Sequence, residues 1–160
     1  MGTRARAGHD SDHRRPDHRR HRQRLASEDK PIDRGPLPDG TPFEGVIGFS
    51  RAYRAGNLIF VSGTAAWGVD MRLVGENDVY EQAAQCLRNI NLILGRAGSS
   101  LAEVVRTRIY LTDMSRWEEV ARAHREAFAD ENRPASTMVE VSRLADPQML
   151  VEIEADAVAL

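Results

Sequence analysis

The chain has 160 residues, enough for one domain, of which 41% are hydrophobic and 29% are charged. This composition is typical of a globular protein, and no apolar run approaches the roughly 20 residues that a membrane-spanning helix needs. The formal net charge of −2 hides a basic segment, residues 1–24, of charge +5 and a remainder of charge −7.

The basic segment 1–24 holds eight Arg and four His but almost no apolar side chains. Such a segment could bind nucleic acid or a metal, and His18 and His21 have a spacing that a metal could use on a helix. The simpler prediction is disorder, because so few apolar groups cannot offset the entropy of ordering. Residues 25–45 contain four prolines and are predicted to be an extended lead-in, which leaves residues 46–160 as the folded domain.

The single cysteine, Cys86, excludes an intramolecular disulfide and is typical of a reducing compartment. The basic N-terminal residues are not followed by the apolar stretch that a secretory signal has. These features predict a cytoplasmic protein that does not associate with membranes.

Two strands open the predicted domain. Residues 48–55 and 57–63 are joined at Gly56-Asn57, a pair suited to a tight turn. The second strand is apolar on both faces, which predicts a central position in the sheet. A loop is predicted over residues 64–77, with a short strand near 71–73.

Two amphipathic helices are predicted further along the chain. The first begins at Asp78, where Glu81 completes a capping-box pattern, and ends near Gly98. Ser115 and Glu118 open the second with a similar pattern. The first helix buries a stripe at helical spacing, formed by Val79, Ala83, Cys86, Leu87, Ile90, Leu94 and Ala97. The buried face of the second is predicted to carry Trp117, Val120, Ala121, His124 and Phe128.

Three more strands are predicted, over residues 104–112, 136–142 and 149–158. In the first of them, alternation directs Val105, Thr107, Ile109 and Leu111 to one side. The order ββαβαββ predicts an α+β fold, one sheet with both helices on one face. The opposite face then carries charged rows, open to solvent or covered by other subunits: Arg106, Arg108, Glu152, Glu154 and Asp156.

Three segments, in this order, resemble the RidA (YjgF-like) family of small trimeric imine and enamine deaminases: Ala55-Gly-Asn-Leu-Ile-Phe-Val-Ser-Gly63, Pro134-Ala-Ser-Thr137 and Leu150-Val-Glu-Ile-Glu-Ala155. The resemblance covers about residues 46–160. It implies a chorismate-mutase-like ββαβαββ fold, in which three subunits close their sheets into a central barrel. It also implies small-molecule sites in the clefts between the subunits of this homotrimer.

The residue types present in the domain limit the kinds of catalysis that it can perform. The only lysine, Lys30, lies in the lead-in, so a Schiff-base lysine in the domain is excluded. The domain's only histidine, His124, lies on an apolar helix face and is interpreted as packed. Cys86 lies in the buried stripe, where cysteine behaves as a small hydrophobe. No His/Cys cluster and no phosphate-binding glycine loop is present, so we expect neither a metal nor a cofactor.

The resemblance, taken residue by residue, places the catalytic glutamate of the family at Glu152. The family's tyrosine falls on Phe49, which has no hydroxyl, and a cysteine often found nearby falls on Met138. The arginine that grips the substrate carboxylate falls on Ser136. A guanidinium binds a carboxylate through two charge-assisted hydrogen bonds, whereas a serine offers one neutral donor.

Other positions of the family site are retained or replaced. Ser62 and Gly63 match the pattern of the family. Arg51, two residues from Phe49, is the candidate substitute for the missing arginine, and it is equally well interpreted as a surface arginine. Glu152, too, could serve only as an ion-pair partner of Arg106 or Arg108.

Two functions remain open on the sequence. The first is a RidA-like hydrolase that acts on a small imine, enamine or related metabolite, with Glu152 orienting water. The alternative is a non-catalytic trimer that binds a small metabolite in the same cleft. Nucleic-acid binding is disfavoured, although parts of the family carry a ribonuclease label, because the folded domain is net acidic.

Overall fold

The structure is a computed structural model, and it describes residues 1–2, 34–128 and 130–160. The chain divides into two units, residues 1–31 and 32–160. Apart from its first two residues, the predicted tail lies outside the described part, as do His18 and His21. No helix among the described residues is long and apolar enough to cross a membrane.

One sheet of six strands dominates the second unit. Its strands are β1 (Arg34–Leu37), β2 (Ala52–Ala55), β3 (Leu58–Thr64), β4 (Val104–Leu111), β5 (Ala135–Glu140) and β6 (Val151–Val158), in the spatial order β1-β2-β3-β6-β4-β5. The β4–β5 pair is parallel and the other neighbours are antiparallel. The interior position predicted for the second apolar strand is confirmed, since β3 lies between β2 and β6.

The α-helices of the described residues are α1 (Pro42–Ile47), α2 (Val79–Arg96) and α3 (Trp117–Ala127), with 3₁₀ turns at Leu101–Glu103, Met114–Arg116 and Asp130–Asn132. The two long helices, α2 and α3, pack on one face of the sheet, and the predicted α+β class is confirmed. The core between helices and sheet contains the fully buried side chains of Ile59, Leu87, Ile90, Leu94, Ile109, Val120 and Ile153.

Ordered elements begin earlier than the sequence predicted. The structure places β1 and the first four residues of α1 within the segment 25–45 interpreted as a lead-in. The prolines fit these elements, because Pro36 lies on an edge strand and Pro42 is the first residue of a helix, where no backbone donor is needed. Gly48, with φ of 80°, ends α1 in the left-handed conformation that glycine adopts without strain.

The helix starts agree with the sequence in one case and differ in the other. The Asp78 side chain accepts a hydrogen bond from the Glu81 backbone at 3.0 Å and caps α2, as predicted. The predicted cap of the second helix was wrong, because Asp113 accepts from the Ser115 backbone at 2.9 Å and opens a 3₁₀ turn before α3. Trp117 is therefore the first residue of α3, and 49% of it is exposed rather than buried.

The alternation predicted for β4 was wrong at its start. The pairing with β6 shifts register between Val104 and Arg106, so a bulge interrupts the period of two. Val104 is buried and 49% of Val105 is exposed, while Thr107 resumes the buried face. The short strand predicted near residues 71–73 is only an isolated bridge between Trp67 and Leu73.

Candidate functional site

The Glu152 carboxylate lies against the backbone of Gly63. The two residues are on neighbouring strands, β6 and β3, whose register shifts between Val61 and Thr64. A Cβ atom added to Gly63 would lie 2.9 Å from Cδ of Glu152 and still closer to a carboxylate oxygen. Only glycine permits this approach, so position 63 is fixed by the space that the carboxylate occupies.

The electrostatic surroundings of Glu152 favour its protonated form. The side chain is half-buried, and no hydrogen bond to its carboxylate comes from the described residues. Burial, and then the negative charge of Glu154, raise the pKa of Glu152 above its ordinary value, while the positive charge of Arg51 opposes the shift. A carboxyl group that has a raised pKa, and no hydrogen-bond partner among the described residues, is suited to accept a proton and return it.

Arg51 is engaged with protein groups. Its Nη1 donates to the Gly63 carbonyl oxygen at 2.9 Å, and its Nη2 donates to Oγ1 of Thr64 at 2.5 Å. Its Nε lies 3.1 Å from Oδ2 of Asp39, and the two side chains are 13% and 24% exposed. Burial lowers the pKa of Arg51, and the negative charges of Asp39 and Glu44 oppose that shift. The guanidinium thus holds the end of β3 to the segment around α1, and this geometry does not favour Arg51 as the replacement for the family arginine.

Two of the predicted site residues line an open groove of about 610 Å³ on the charged face of the sheet, which we call the sheet-face groove. Ser62 donates to the Ser50 carbonyl oxygen at 2.7 Å, which fixes its hydroxyl at the wall. The lining comprises Pro36, Gly48, Phe49, Ser50, Tyr53, Phe60, Val61, Ser62, Arg108, Glu154 and Asp156. Glu152 precedes Glu154 by two residues on the same strand face and therefore lies toward one end of this groove.

Part of the charged rows predicted for this face pairs within the subunit, around Arg108. Arg108 on β4 lies 3.1 Å from Oδ2 of Asp156 and 3.3 Å from Oε2 of Glu154 on the neighbouring strand β6. The predicted pairing of Glu152 with Arg106 or Arg108 is not among the ion pairs of the described residues.

Ser136 and Met138 lie elsewhere, on the helix-facing side of β5. Both line a second cleft of about 390 Å³, which we call the His124 cleft. Its walls are formed by Ile109, Trp117, Ala121, His124, Arg125, Phe128, Arg133, Pro134, Ser136 and Met138. The register of the parallel pair places Ser136 beside Thr107 and Met138 beside Ile109.

His124 packs against an apolar neighbour, as its position on the helix predicted, and it also forms a hydrogen bond. Its ring does pack on Phe128, with centroids 4.6 Å apart. Its Nε2 also lies 2.9 Å from Oγ1 of Thr107, which in turn lies 2.9 Å from Oγ of Ser136. Burial lowers the pKa of His124. No sequence pattern predicted this cluster, because its three members come from three different elements.

The predicted site residues are therefore divided between the two faces of one sheet. Glu152 extends from the charged face of β6, whereas Ser136 extends from the helix face of β5, and β4 lies between these strands. Within one subunit the two side chains cannot contact the same small molecule. Among the described residues, no group of three His, Cys, Asp or Glu side chains could hold a metal ion.

Comparison with known proteins gives concordant matches. The family model described as Endoribonuclease L-PSP matches residues 42–159. An uncharacterized protein of Streptomyces coelicolor is 37% identical over 121 residues, which cover 76% of this chain and 89% of the relative. The 3-aminoacrylate deaminase RutC of Acinetobacter baylyi is 33% identical over 117 residues, covering 73% of this chain and 90% of the relative.

The fold has close counterparts among solved structures. A Mycobacterium tuberculosis member of the YjgF/YER057c/UK114 family superposes with a TM-score of 0.71 at 47% identity, covering 79% of this chain and 99% of that one. The structure of yeast Mmf1 superposes with a TM-score of 0.70 at 26% identity, over 79% of this chain and 99% of that one.

Proposed function

The chain belongs to the RidA family of YjgF-, RutC- and L-PSP-type proteins, and on that premise we propose that it hydrolyses a small imine or enamine at a site between the subunits of a homotrimer. The observation that carries the proposal is the Glu152 carboxyl, held against Gly63, half-buried and with a raised pKa. A relative named as a 3-aminoacrylate deaminase, 33% identical, supports the reaction class.

The chemistry requires one group that both accepts and returns a proton. Glu152 takes a proton from water as the water oxygen bonds to the carbon of the protonated imine, which gives a neutral carbinolamine. The carboxyl then returns this proton to nitrogen, and as the C–N bond breaks and ammonia leaves, the carboxylate takes the hydroxyl proton and the carbonyl forms. An enamine enters the same sequence after it accepts a proton on carbon and becomes the protonated imine.

The assembly is part of the proposal, because one subunit separates Glu152 from Ser136. A neighbouring subunit that brings its β5 edge to the charged face of the first would unite the two halves of the site. The sheet-face groove, with exposed Tyr53 and Phe60 in its wall, is the surface available for that contact. We therefore place the site in a cleft shared by two subunits.

The substrate differs from the carboxylate-bearing imines that the family arginine grips. Ser136 supplies one neutral hydrogen bond, worth about 1 kcal/mol, where a guanidinium supplies two charge-assisted bonds of about 1.5 to 3 kcal/mol each. Phe49 has no hydroxyl to add. We therefore expect slow turnover of 2-aminoacrylate-type imines at neutral pH and faster turnover of small imines without a carboxylate.

A non-catalytic trimer that binds a small metabolite is the second candidate. The same two replacements, Ser136 and Phe49, favour it, because positioning supplies much of the advantage of a catalyst and a loosely held substrate loses it.

The test generates imines in situ, from amino acids with an amino-acid oxidase and from simple amines with an amine oxidase, and follows semicarbazone formation. We expect the protein to accelerate loss of the carboxylate-free imine and Glu152→Gln to abolish that effect. Ser136→Arg combined with Phe49→Tyr should gain activity on the acid imines, and adding Glu152→Ala should remove the gain. If no imine is hydrolysed in a manner that depends on Glu152, while the trimer is intact, the binding-protein candidate replaces this proposal.

A further inference from the structure

Two side chains of the His124 cleft, those of His124 and Ser136, are joined through the buried Thr107 into a continuous hydrogen-bonded chain from the helix to the edge strand. Nε2 of His124 and Oγ of Ser136 each lie 2.9 Å from Oγ1 of Thr107. Thr107 is fully buried, with 0% of its surface exposed, so no solvent competes for its hydroxyl. Ser136 is at the other end of the chain and lines the cleft.

The single hydrogen of the Thr107 hydroxyl couples the two bonds. If Nε2 of His124 carries a hydrogen, it donates to Thr107, Thr107 donates to Ser136, and the Ser136 hydrogen is left for a ligand. If Nε2 has no hydrogen, Thr107 donates to it and Ser136 donates to Thr107. The Ser136 hydroxyl can then only accept a hydrogen bond from a ligand in the cleft. The two 2.9 Å distances are compatible with either direction, and the proton on Nε2 of His124 selects between them.

We propose that His124 is a positioning residue that acts through Thr107 to make Ser136 a hydrogen-bond donor toward the cleft, and that the cleft consequently binds an anionic oxygen group more tightly when the imidazole is protonated. Protonated imidazole donates from both nitrogens, so only the first direction is then possible. This inference shares one premise with the proposed function, namely that the Ser136 side chain contacts the bound ligand.

The charges around the imidazole agree with an anionic ligand. Arg125 on α3 lines the cleft, and no acidic side chain is among its lining residues in the described part of the chain. The strands packed against His124 contribute the uncharged Thr107 and Ile109 from β4 and Ser136 from β5.

The remaining walls favour an apolar body on the ligand. Trp117, Phe128 and Met138 all line the cleft beside the polar chain. Aromatic and thioether side chains pack well on a planar ring. Phenylacetate, a carboxylate on a phenyl ring, is therefore a suitable probe, and phenylacetamide is its uncharged match.

The pH dependence has a defined sign. Burial lowers the pKa of His124 in the free protein. An anionic ligand favours the protonated imidazole, so binding raises the pKa of His124, and by linkage the affinity rises as the pH falls through the pKa of the complex. Each unit by which binding raises this pKa corresponds to an approximately tenfold gain in affinity.

The test measures phenylacetate affinity of the full chain from about pH 8 to about pH 5.5, a range in which imidazole titrates and the probe stays ionised. We expect the affinity for phenylacetate to rise as the pH falls, by up to about tenfold if binding raises the His124 pKa by one unit, and a flat profile for phenylacetamide. His124→Gln keeps an N–H that can donate to Thr107, so it should bind phenylacetate with no pH dependence. His124→Leu lacks the donor and should bind it weakly at every pH.

Imidazole NMR provides a readout that requires neither turnover nor a stable variant. In the wild-type protein, saturating phenylacetate should raise the pKa of His124 and keep a hydrogen on Nε2, and Thr107→Val should reduce the shift. Failure of phenylacetate to bind at both ends of the range, an affinity independent of pH, or equal behaviour of His124→Gln and His124→Leu would each overturn the proposal. None of these results depends on the imine assay, so the two hypotheses can fail separately.

Discussion

The carboxylate of Glu152, on β6, occupies the space that a side chain at Gly63, on β3, would need. A Cβ on Gly63 would lie 2.9 Å from Cδ of Glu152, a contact that folded proteins essentially do not make. The backbone of Gly63 is not in the left-handed region, so the requirement for glycine is steric. The glycine thereby determines where the carboxylate can be.

Gly63→Ala should displace the Glu152 carboxylate and abolish its effect on imine hydrolysis, while the protein remains folded. The relevant measurements are the semicarbazone assay and thermal unfolding. Gly35→Ala is the matched control, because Gly35 also lies in a strand and a Cβ there meets nothing within 4 Å. Full activity in Gly63→Ala would show that the contact does not position the carboxylate.

Glu152→Gln should raise the free energy of unfolding at pH 7. The pKa of Glu152 is higher in the folded protein than in the unfolded chain, so folding is favoured at low pH, and stability is lost as the pH rises from the unfolded pKa through the folded one. Glutamine has no charge to desolvate, so the variant should not lose stability as the pH rises. Near pH 4 the wild type and Glu152→Gln should therefore be nearly equal in stability. Urea unfolding at both pH values tests this; a wild type that is more stable than Glu152→Gln at pH 7 would contradict it.

Arg51→Met should lower the free energy of unfolding by about 2 to 3 kcal/mol, because it removes the donor to the Gly63 carbonyl and the cation beside the Asp39 carboxylate, whose side chain is 24% exposed and which keeps the Thr41 backbone donor. Arg72→Met is the control, since the Arg72–Asp70 pair is exposed and spans 3.8 Å, and its loss should cost less than about 1 kcal/mol. Equal stability of the two variants, together with weaker ligand binding only in Arg51→Met, would restore Arg51 as a ligand-binding residue.

The protein should be a trimer in solution at micromolar concentration. The proposed function assigns Glu152 and Ser136 to one site, and because they lie on opposite faces of the sheet it needs a second subunit. Light scattering should give three times 17.9 kDa. Phe60→Glu, on the exposed wall of the sheet-face groove, should dissociate the assembly, whereas Leu92→Glu on the exposed side of α2 should not. A monodisperse wild-type monomer would remove the shared cleft and the proposed function with it.

Local patterns in the sequence were sufficient for most of the secondary structure. The stripe of α2, its Asp78 cap and the alternation of β6 follow from interactions between residues a few positions apart. Predictions failed where neighbours in space intervened. The bulge that exposes Val105 depends on the pairing of β4 with β6. The strand β1 forms because its backbone can pair with the edge of β2.

The sequence by itself determined the family and the α+β class, and it predicted which residues occupy the positions of the usual site groups. Only the tertiary structure decided how those residues are arranged. In the structure the Glu152 carboxylate lies against Gly63, and Arg51 pairs with Asp39. Thr107 lies within hydrogen-bond distance of both His124 and Ser136. These contacts join residues that are far apart along the chain, and their distances depend on strand order and register, which no local periodicity encodes.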